Sequence, residues 1–234
     1  MSQQPDSASN DGPPPSPDAV PRGHTRLVDR AYRSLRDDLI ALRIEPGAPL
    51  DERQLSASLK VGLTPVRDAI KRLTLERLVV TYPRRGTFAA EIHISDERWL
   101  TEARTGLEGL AALLAAQRAT DAECAALLDL TQKLEASKDS KLSIEYIDRD
   151  AAVHRAIYAA ARNPYLESTL NQYTNAALRI WHYTLRAMGP ASPPPCDQTE
   201  VVAAIVARDG ERARTAAEAH LLDYSVQVKR LLQA

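Results

Sequence analysis

The sequence predicts a mainly α-helical protein in two parts, three short helices with a β-hairpin followed by an all-α helical bundle. Residues 24–92 carry three apolar patterns of helical period and then two alternating runs typical of strands. From 95 to 234 the helical pattern continues almost throughout. Residues 1–23 are mostly Pro, Ser, Asp, Gln and Gly without an apolar period, so we expect a disordered tail there.

The overall composition is that of a soluble globular protein. The chain has 234 residues, of which 44% are hydrophobic, enough for one large core or two smaller ones. No stretch approaches the roughly 18 apolar residues of a membrane span, and the N-terminus lacks the order of a secretory signal. A cytoplasmic protein without a membrane partner is therefore expected. Cys124 and Cys196 are far apart, which indicates neither a disulfide framework nor a thiolate zinc site.

Charge is distributed unevenly along the chain, although the formal net charge is only -1. Residues 24–91 contain 13 Lys and Arg against 9 Asp and Glu, whereas residues 92–234 contain 16 against 19. An asymmetry of this sign suggests that the first part binds a polyanion and that the second does not.

The first two helices are predicted from apolar spacing and turn residues. Helix one begins near His24 and ends before the Pro46-Gly47 turn. Asp51 followed by Gln54 has the spacing of a capping box for a short second helix that ends near Leu59. The apolar residues of helix one recur at three and four, at Leu27, Val28, Ala31, Leu35 and Leu39.

The third helix combines an apolar face with a cationic one. Thr64 is expected to be its N-cap and Pro65 its first helical residue, because a proline there loses no hydrogen bond. Arg67 and Lys71 lie at i and i+4, so this helix presents a cationic stripe. The apolar face is formed by Val66, Ala69, Ile70 and Leu73.

A basic β-hairpin is predicted after the third helix. Residues 78–82 and 87–91 alternate around a PRRG loop, which places Arg84 and Arg85 at the tip. Three helices and a hairpin in this order form a winged helix-turn-helix, in which an arginine of the third helix can bond guanine O6 and N7. Arg67 is the candidate for that role. Phosphate contacts are assigned to Lys71, Arg84 and Arg33.

The bundle is predicted to contain six helices. Ser95 has the position of an N-cap for the first, which ends near Arg118, and prolines separate several of the later segments. The other helices are predicted at about 121–137, 141–162, 165–188, 197–208 and 211–233.

Three potential metal ligands fall on apolar faces of the bundle helices. Asp150 and His154 lie at i and i+4 on the buried stripe of helix 141–162, and His220 lies on that of the last helix. Because a buried carboxylate or imidazole needs a partner, a divalent metal such as zinc, nickel or manganese is one interpretation. The other is an Asp–His hydrogen bond beside a satisfied core histidine, and both remain open.

These passages resemble the GntR family of transcriptional regulators, and in particular its FadR-like subfamily. PGAPLDERQLSASLKVGLTPVRDAIKRLTLERLVVTYPRRGTF (46–88) is similar to the family's winged helix-turn-helix. Similarity to the family's FCD ligand-sensing domain lies in EARTGLEGLAALLAA (102–116), DAAVHRAIYAAARNPYL (150–166) and AIVARDGERARTAAEAHL (204–221). The resemblance implies a homodimeric repressor that binds a pseudo-palindromic operator in double-stranded DNA and is released by a small effector, expected to be an organic acid.

The resemblance also assigns DNA-binding roles. Arg53 matches a position that contacts DNA, Arg67 matches the recognition-helix arginine, and Arg85-Gly86 match a wing tip that reaches the minor groove. The entry of the recognition helix is matched by Thr64 and Pro65. Relatives usually have Ser/Thr-Arg just before the Thr-Pro, where this chain has Gly62-Leu63. One base-reading arginine is therefore absent, and the family's common half-site is not implied.

The implied metal site has one substitution. Metal-binding relatives have an Asp-x-x-x-His pair and two later histidines, and Asp150, His154 and His220 match three of those four positions. The fourth is Gln198 here, so the resemblance implies a site that is weakened, completed by effector or water, or lost.

Two further residues are candidates for effector contacts beside Gln198. Arg104 matches a family arginine that can pair with an effector carboxylate, although an ion pair with Glu108 at i+4 is the alternative. His182 is expected to line the same cavity as the three metal ligands.

A metal-dependent hydrolase built on the bundle is the competing class of function. Such an enzyme needs an open coordination position and a general base, and apart from the ligands themselves no residue pattern marks a base. A hydrolase would also leave the winged helix unexplained. A purely architectural DNA binder would not need polar groups on buried stripes.

Overall fold

The computed structural model describes residues 22–137, 143–188 and 198–233, and in these ranges the chain is mainly α-helical with one two-stranded sheet, as predicted. The strands are β1 (Val79–Tyr82) and β2 (Gly86–Ala89). The helices are α1 (Arg22–Ile40), α2 (Glu52–Leu59), α3 (Leu63–Leu75), α4 (Asp96–Arg118), α5 (Asp121–Glu135), α6 (Ile144–Ala160), α7 (Pro164–Met188), α8 (Thr199–Val206) and α9 (Gly210–Gln233).

Some of the sequence predictions concern residues outside these ranges. Most of the predicted tail, residues 1–21, lies outside the described residues, as do Cys196 and the predicted helix residues 141–142 and 197. α1 begins at Arg22, inside the predicted tail. Cys124 is buried and free.

The first part of the chain has its own hydrophobic core. α1, α3 and the hairpin enclose fully buried side chains that include Leu35, Leu39, Val66 and Leu73. These four are among the apolar positions that the helical period predicted for α1 and α3, whereas Leu27, also predicted on the apolar face of α1, is exposed. α2 contributes only the partly buried Leu55 and Leu59 to this core. The other residues of α2 are polar or small.

The helix ends differ in part from the prediction. The Asp51 carboxylate accepts hydrogen bonds from the backbone of Arg53 and Gln54, which confirms it as the N-cap of α2. The N-cap of α3 is Gly62 and not Thr64, because the Gly62 carbonyl already accepts the Val66 N–H of the first turn. Pro65 is therefore the third residue of the helix and lies in its first turn, where its missing N–H still costs no intrahelical bond.

The sheet extends beyond the predicted hairpin. β1 and β2 are antiparallel with Val80 opposite Phe88, and Arg84 at the tip has a positive φ of 63°. The segment 47–50 also pairs with β2, since Leu50 N donates to the Thr87 carbonyl and Ala89 N to the Ala48 carbonyl. The sequence had predicted only a turn at Pro46-Gly47. This extra pairing fixes the wing against the rest of its domain.

The second part is a bundle in which α4 packs along α9. Gly109 permits the close approach, because a Cβ at this position would lie 2.6 Å from Glu218 Oε1. Ser95 occupies the N-cap position of α4, as predicted, although it has helical dihedral angles and its side chain makes no cap hydrogen bond. Thr120 and Glu123 form a capping box at α5 that was not predicted. Among the described residues, no helix has the length and apolar character needed to cross a membrane.

Arg179 of α7 connects the two parts. Its side chain is 4% exposed, its Nε donates to the Leu39 carbonyl at 3.2 Å, and its Nη2 donates to the Ala90 carbonyl at 2.8 Å. Burial lowers the pKa of Arg179 to about 10, which leaves it charged at neutral pH. Ile40 at the end of α1 packs in the bundle core. An exposed ion pair of 2.6 Å between Arg186 and Glu45 lies at the same junction.

We expect Arg179→Met to lower the free energy of unfolding by about 2–4 kcal/mol, because two main-chain carbonyls lose a charged donor. Arg186→Met is the matched control, since it removes an exposed interdomain ion pair and should cost at most about 1 kcal/mol. Urea denaturation followed by circular dichroism measures both. Equal costs for the two variants would contradict a structural role for the buried arginine.

Candidate DNA-binding surface and candidate metal centre

The structure exposes most of the predicted DNA-binding residues. The exposed ones are Arg53, Thr64, Arg67, Lys71, Arg84, Arg85 and Gly86. Pro65 is buried against the core, so it shapes the first turn of α3 and offers no surface to DNA. That corrects its assignment as a contact residue. Arg33 on α1 is also exposed.

Arg67 is held by an acidic neighbour. Its Nε donates to Glu52 Oε2 at 2.7 Å, with the arginine side chain 57% exposed. Lys71 lies 3.2 Å from Asp68 in the same way. Exposed ion pairs of this kind contribute at most about 1 kcal/mol, so a phosphate or a guanine can replace the carboxylate at low cost.

The three predicted metal ligands meet in the bundle. One ligand atom from each of Asp150, His154 and His220 lies within 4.8 Å of the other two. His154 Nε2 is 3.4 Å from Asp150 Oδ2 and 3.3 Å from His220 Nε2. α6 supplies the first two residues, one helical turn apart, and α9 supplies the third. Both histidines are buried.

A buried carboxylate that sequence reasoning did not connect with the cluster orients His154. Glu108 Oε2 lies 2.7 Å from His154 Nδ1, and its other oxygen accepts from Arg104 Nε at 2.7 Å. Arg104 therefore forms the ion pair with Glu108 that was the alternative interpretation of this residue. It also lines the cavity at the cluster. The available signal was the position of Glu108 on the alanine-rich face of α4, in line with Ala111 and Ala112.

Gln198 reaches the cluster and His182 does not. Gln198 is 1% exposed and its Nε2 donates to Asp150 Oδ1 at 3.0 Å, so it orients the carboxylate. His182 was expected in the same cavity, but it lines a separate one between α1, α6 and α7. α7 packs on both sides, so its buried stripe does not by itself show which cavity a residue faces.

The two histidines of the cluster have pKa values shifted in opposite directions. Burial alone would lower the pKa of His154, but Glu108 and Asp150 outweigh it and raise that pKa to about 9. Burial lowers the pKa of His220 to about 4. For Asp150, burial is outweighed by His154 and the pKa is lowered. In the absence of metal, His154 is thus an imidazolium that donates from Nδ1 to Glu108, beside a neutral His220.

The donor set fits a divalent transition metal. Two imidazole nitrogens and a carboxylate oxygen are ligands that zinc, nickel and manganese accept, and a carboxylate on the far nitrogen of a ligating histidine is the usual supporting contact. The adjoining cavity has a volume of about 30 Å³. His220 Nδ1 is buried without a hydrogen-bond partner among the described residues, which does not match a satisfied core histidine.

Each of the two parts of the chain matches a known protein family. Residues 27–89 match the family described as "Bacterial regulatory proteins, gntR family", and residues 99–223 match the FCD domain. The HTH-type transcriptional repressor RspR of Escherichia coli K12 is 24% identical over 202 residues, covering 86% of this chain and 89% of RspR. The repressor GlaR of the same organism is 29% identical over 199 residues, covering 82% and 90%.

The fold is also that of a solved structure. E. coli McbR/YncC aligns with a TM-score of 0.73 at 23% identity, covering 87% of this chain and 97% of the other.

The two histidine pKa values predict opposite pH limits for the metal-free protein. His154 is raised above its unfolded value of 6.5, so its contribution to stability is full below pH 6.5 and is lost as pH rises through about 9. His220 is lowered, so its contribution is full above pH 6.5 and is lost as pH falls through about 4. Nuclear magnetic resonance titration of the ring nitrogens in chelator should show His154 protonated and His220 neutral at pH 7. The reverse assignment, or two neutral rings, would contradict the described network.

Proposed function

Because this chain belongs to the GntR family of bacterial transcriptional regulators and carries an FCD domain, we propose that it represses transcription as a homodimer whose helical domain binds a small organic acid. Its family consists of regulators and not of enzymes, so the metal-dependent hydrolase is set aside. The observation that carries the proposal is the connection through Arg179, which joins a cationic DNA-binding surface to a bundle with a buried polar cluster.

The proposal assigns residues 24–92 to the DNA-binding domain and 95–234 to the effector domain. The buried apolar clusters support this division, because one is shared by α1, α3 and the hairpin and two others lie almost entirely among the later helices. We place the protein in the cytoplasm, where it reaches its operator.

Arg67 reads sequence in this proposal. It lies in the second turn of α3 and is exposed, so its guanidinium can leave Glu52 and bond guanine O6 and N7 in the major groove. Lys71, Arg84 and Arg33 bond phosphates, and Arg53 contacts DNA from α2. Arg85-Gly86 reach toward the minor groove at the wing tip. Leu63, the first residue of α3, offers no charged group in place of the family arginine.

Asp150, His154 and His220 hold a divalent metal in this proposal. Glu108 fixes the proton on His154 Nδ1, so that Nε2 faces the ion, and Gln198 orients Asp150. The metal would supply a Lewis-acidic centre for a bound water. Arg104 lines the same cavity and adds positive charge there.

Effector binding acts on DNA affinity by shifting a population of dimers. A dimer binds two half-sites at a fixed spacing, so a small rotation of the two DNA-binding domains is enough to break the match. Arg179 and Ile40 connect α1 to α7 and the bundle core. A rearrangement of the effector domain therefore moves the first helix of the DNA-binding domain.

We expect Arg67→Ala to abolish selective DNA binding. One bidentate guanine contact discriminates by about 1–3 kcal/mol in each half-site, whereas nonspecific phosphate binding remains. Fluorescence anisotropy with a site selected from random DNA and with a scrambled site measures the ratio. Arg84→Ala is the control, because loss of a phosphate contact should weaken both DNAs alike. An unchanged ratio in Arg67→Ala would assign base reading to another residue.

Metal binding should depend on the three clustered ligands. Zinc, nickel or manganese should raise the melting temperature of the chelator-treated protein, and His220→Ala should remove that rise. Gln198→His restores a nitrogen ligand and should tighten binding at least about tenfold. His93→Ala, which changes an exposed histidine, should behave as the wild type. Calorimetry with each metal should show the tightest binding for Gln198→His and the weakest for His220→Ala, with the wild type and His93→Ala between them. Equal affinities in all variants would exclude this site.

A further inference from the structure

A second cavity lies at the junction of the DNA-binding helices and the bundle. It has a volume of about 410 Å³ and lies between the end of α1, α6 and α7. The polar residues that line it include Asp37, Arg43, Asp148, Arg155 and His182. Ala151 and Leu178 line both this interdomain cavity and the cavity at the metal cluster, so they form the wall between the two.

His182 is buried in this cavity without a hydrogen bond. It is 4% exposed, and neither ring nitrogen has a hydrogen-bond partner among the described residues. The nearest carboxylate oxygen, Asp148 Oδ1, is 3.9 Å from Nε2. Burial lowers the pKa of His182, so the ring is neutral at pH 7 and offers one donor and one acceptor. A buried polar group left without partners costs stability unless something else binds it.

Arg155 is the second incompletely bonded group at the cavity. Its Nη2 donates to Asn175 Oδ1 at 2.8 Å, but its buried Nε has no hydrogen-bond partner in the part of the chain that the structure describes. The other nearby arginines are paired, Arg36 with Asp37 at 2.7 Å and Arg43 with Asp38 at 2.6 Å. Arg155 is thus a cation without a carboxylate partner among the described residues.

We propose that the interdomain cavity binds a small hydroxy acid or amino acid, with its carboxylate on Arg155 and its hydroxyl or amino group between His182 and Asp148. The volume is within the range of ligand sites, whereas about 30 Å³ at the metal cluster leaves no room for a metabolite of several heavy atoms. The donor is needed because Asp148 and one nitrogen of His182 are acceptors.

The position of this site explains how a bound ligand can change the orientation of the DNA-binding domain. Asp37 and Ile40 of α1 line the cavity together with Arg155 of α6 and His182 of α7. A ligand here contacts the first helix of the DNA-binding domain and two helices of the bundle at once. The inference deepens the proposed function by giving its effector a place, and it is independent of the metal ligands.

The test uses three matched four-carbon acids, succinate, L-malate and L-aspartate, with the full-length protein in chelator. Malate or aspartate should raise the melting temperature by about 5 °C at a concentration near 100 times Kd. Succinate lacks the donor and should bind at least about tenfold more weakly by calorimetry. The comparison of malate with aspartate identifies the second group as hydroxyl or amine.

Three variants locate the binding site. Arg155→Gln should abolish the thermal shift. His182→Phe should also abolish it while raising the melting temperature of the ligand-free protein, because it removes an unbonded polar ring from a buried position. A merely structural histidine would give a lower melting temperature instead. His220→Ala changes the metal cluster and should leave the shift intact.

The proposal is overturned if none of the three acids stabilises the wild type, if Arg155→Gln retains the shift, or if His220→Ala abolishes it. Selective DNA binding is measured in parallel without any acid. If the wild type binds DNA selectively but none of the acids shifts its melting temperature, only the interdomain site is refuted. If an acid shifts the melting temperature but the protein does not bind DNA selectively, only the regulator proposal is refuted.

Discussion

The bundle depends on the compensation of buried charge. Glu108 accepts from Arg104 on one side and pairs with His154 on the other, and His154 in turn meets Asp150 and His220. An unpaired ion at Arg104, Glu108 or His154, which are all buried, would cost several kcal/mol, so each of the three constrains the next. The chain of contacts spans α4, α6 and α9, and Gln198 attaches the start of α8. The same constraint sets the two histidine pKa values and orients the candidate metal ligands.

The sequence predicted the elements well wherever one helical face is buried. The period of α6 brought Asp150 and His154 onto one stripe, and the period of α9 turned His220 toward the same interior, so the cluster was predictable. Glu108 was not, because an arginine and a glutamate at i and i+4 look the same on a solvated face and in a core. Only the packing of α4 against α6 and α9 distinguishes the two cases.

Local backbone choices were harder to predict than faces. Thr64 has the side chain of a good cap, yet the chain starts α3 two residues earlier because Gly62 takes the extended conformation that the cap requires. His182 was assigned to the wrong cavity for a different reason. A helix that packs on two sides has two buried stripes, and residue spacing does not tell which neighbour each stripe meets.

The junction at Arg179 has an evolutionary consequence. Its donors end on the carbonyl oxygens of Leu39 and Ala90, which every residue type supplies, so the contact places no demand on the side chains at those two positions. Substitutions can accumulate across the DNA-binding half without breaking this attachment. In the proposed function, one effector-binding bundle can therefore be combined with different recognition helices, so that the target genes change while the signal stays the same.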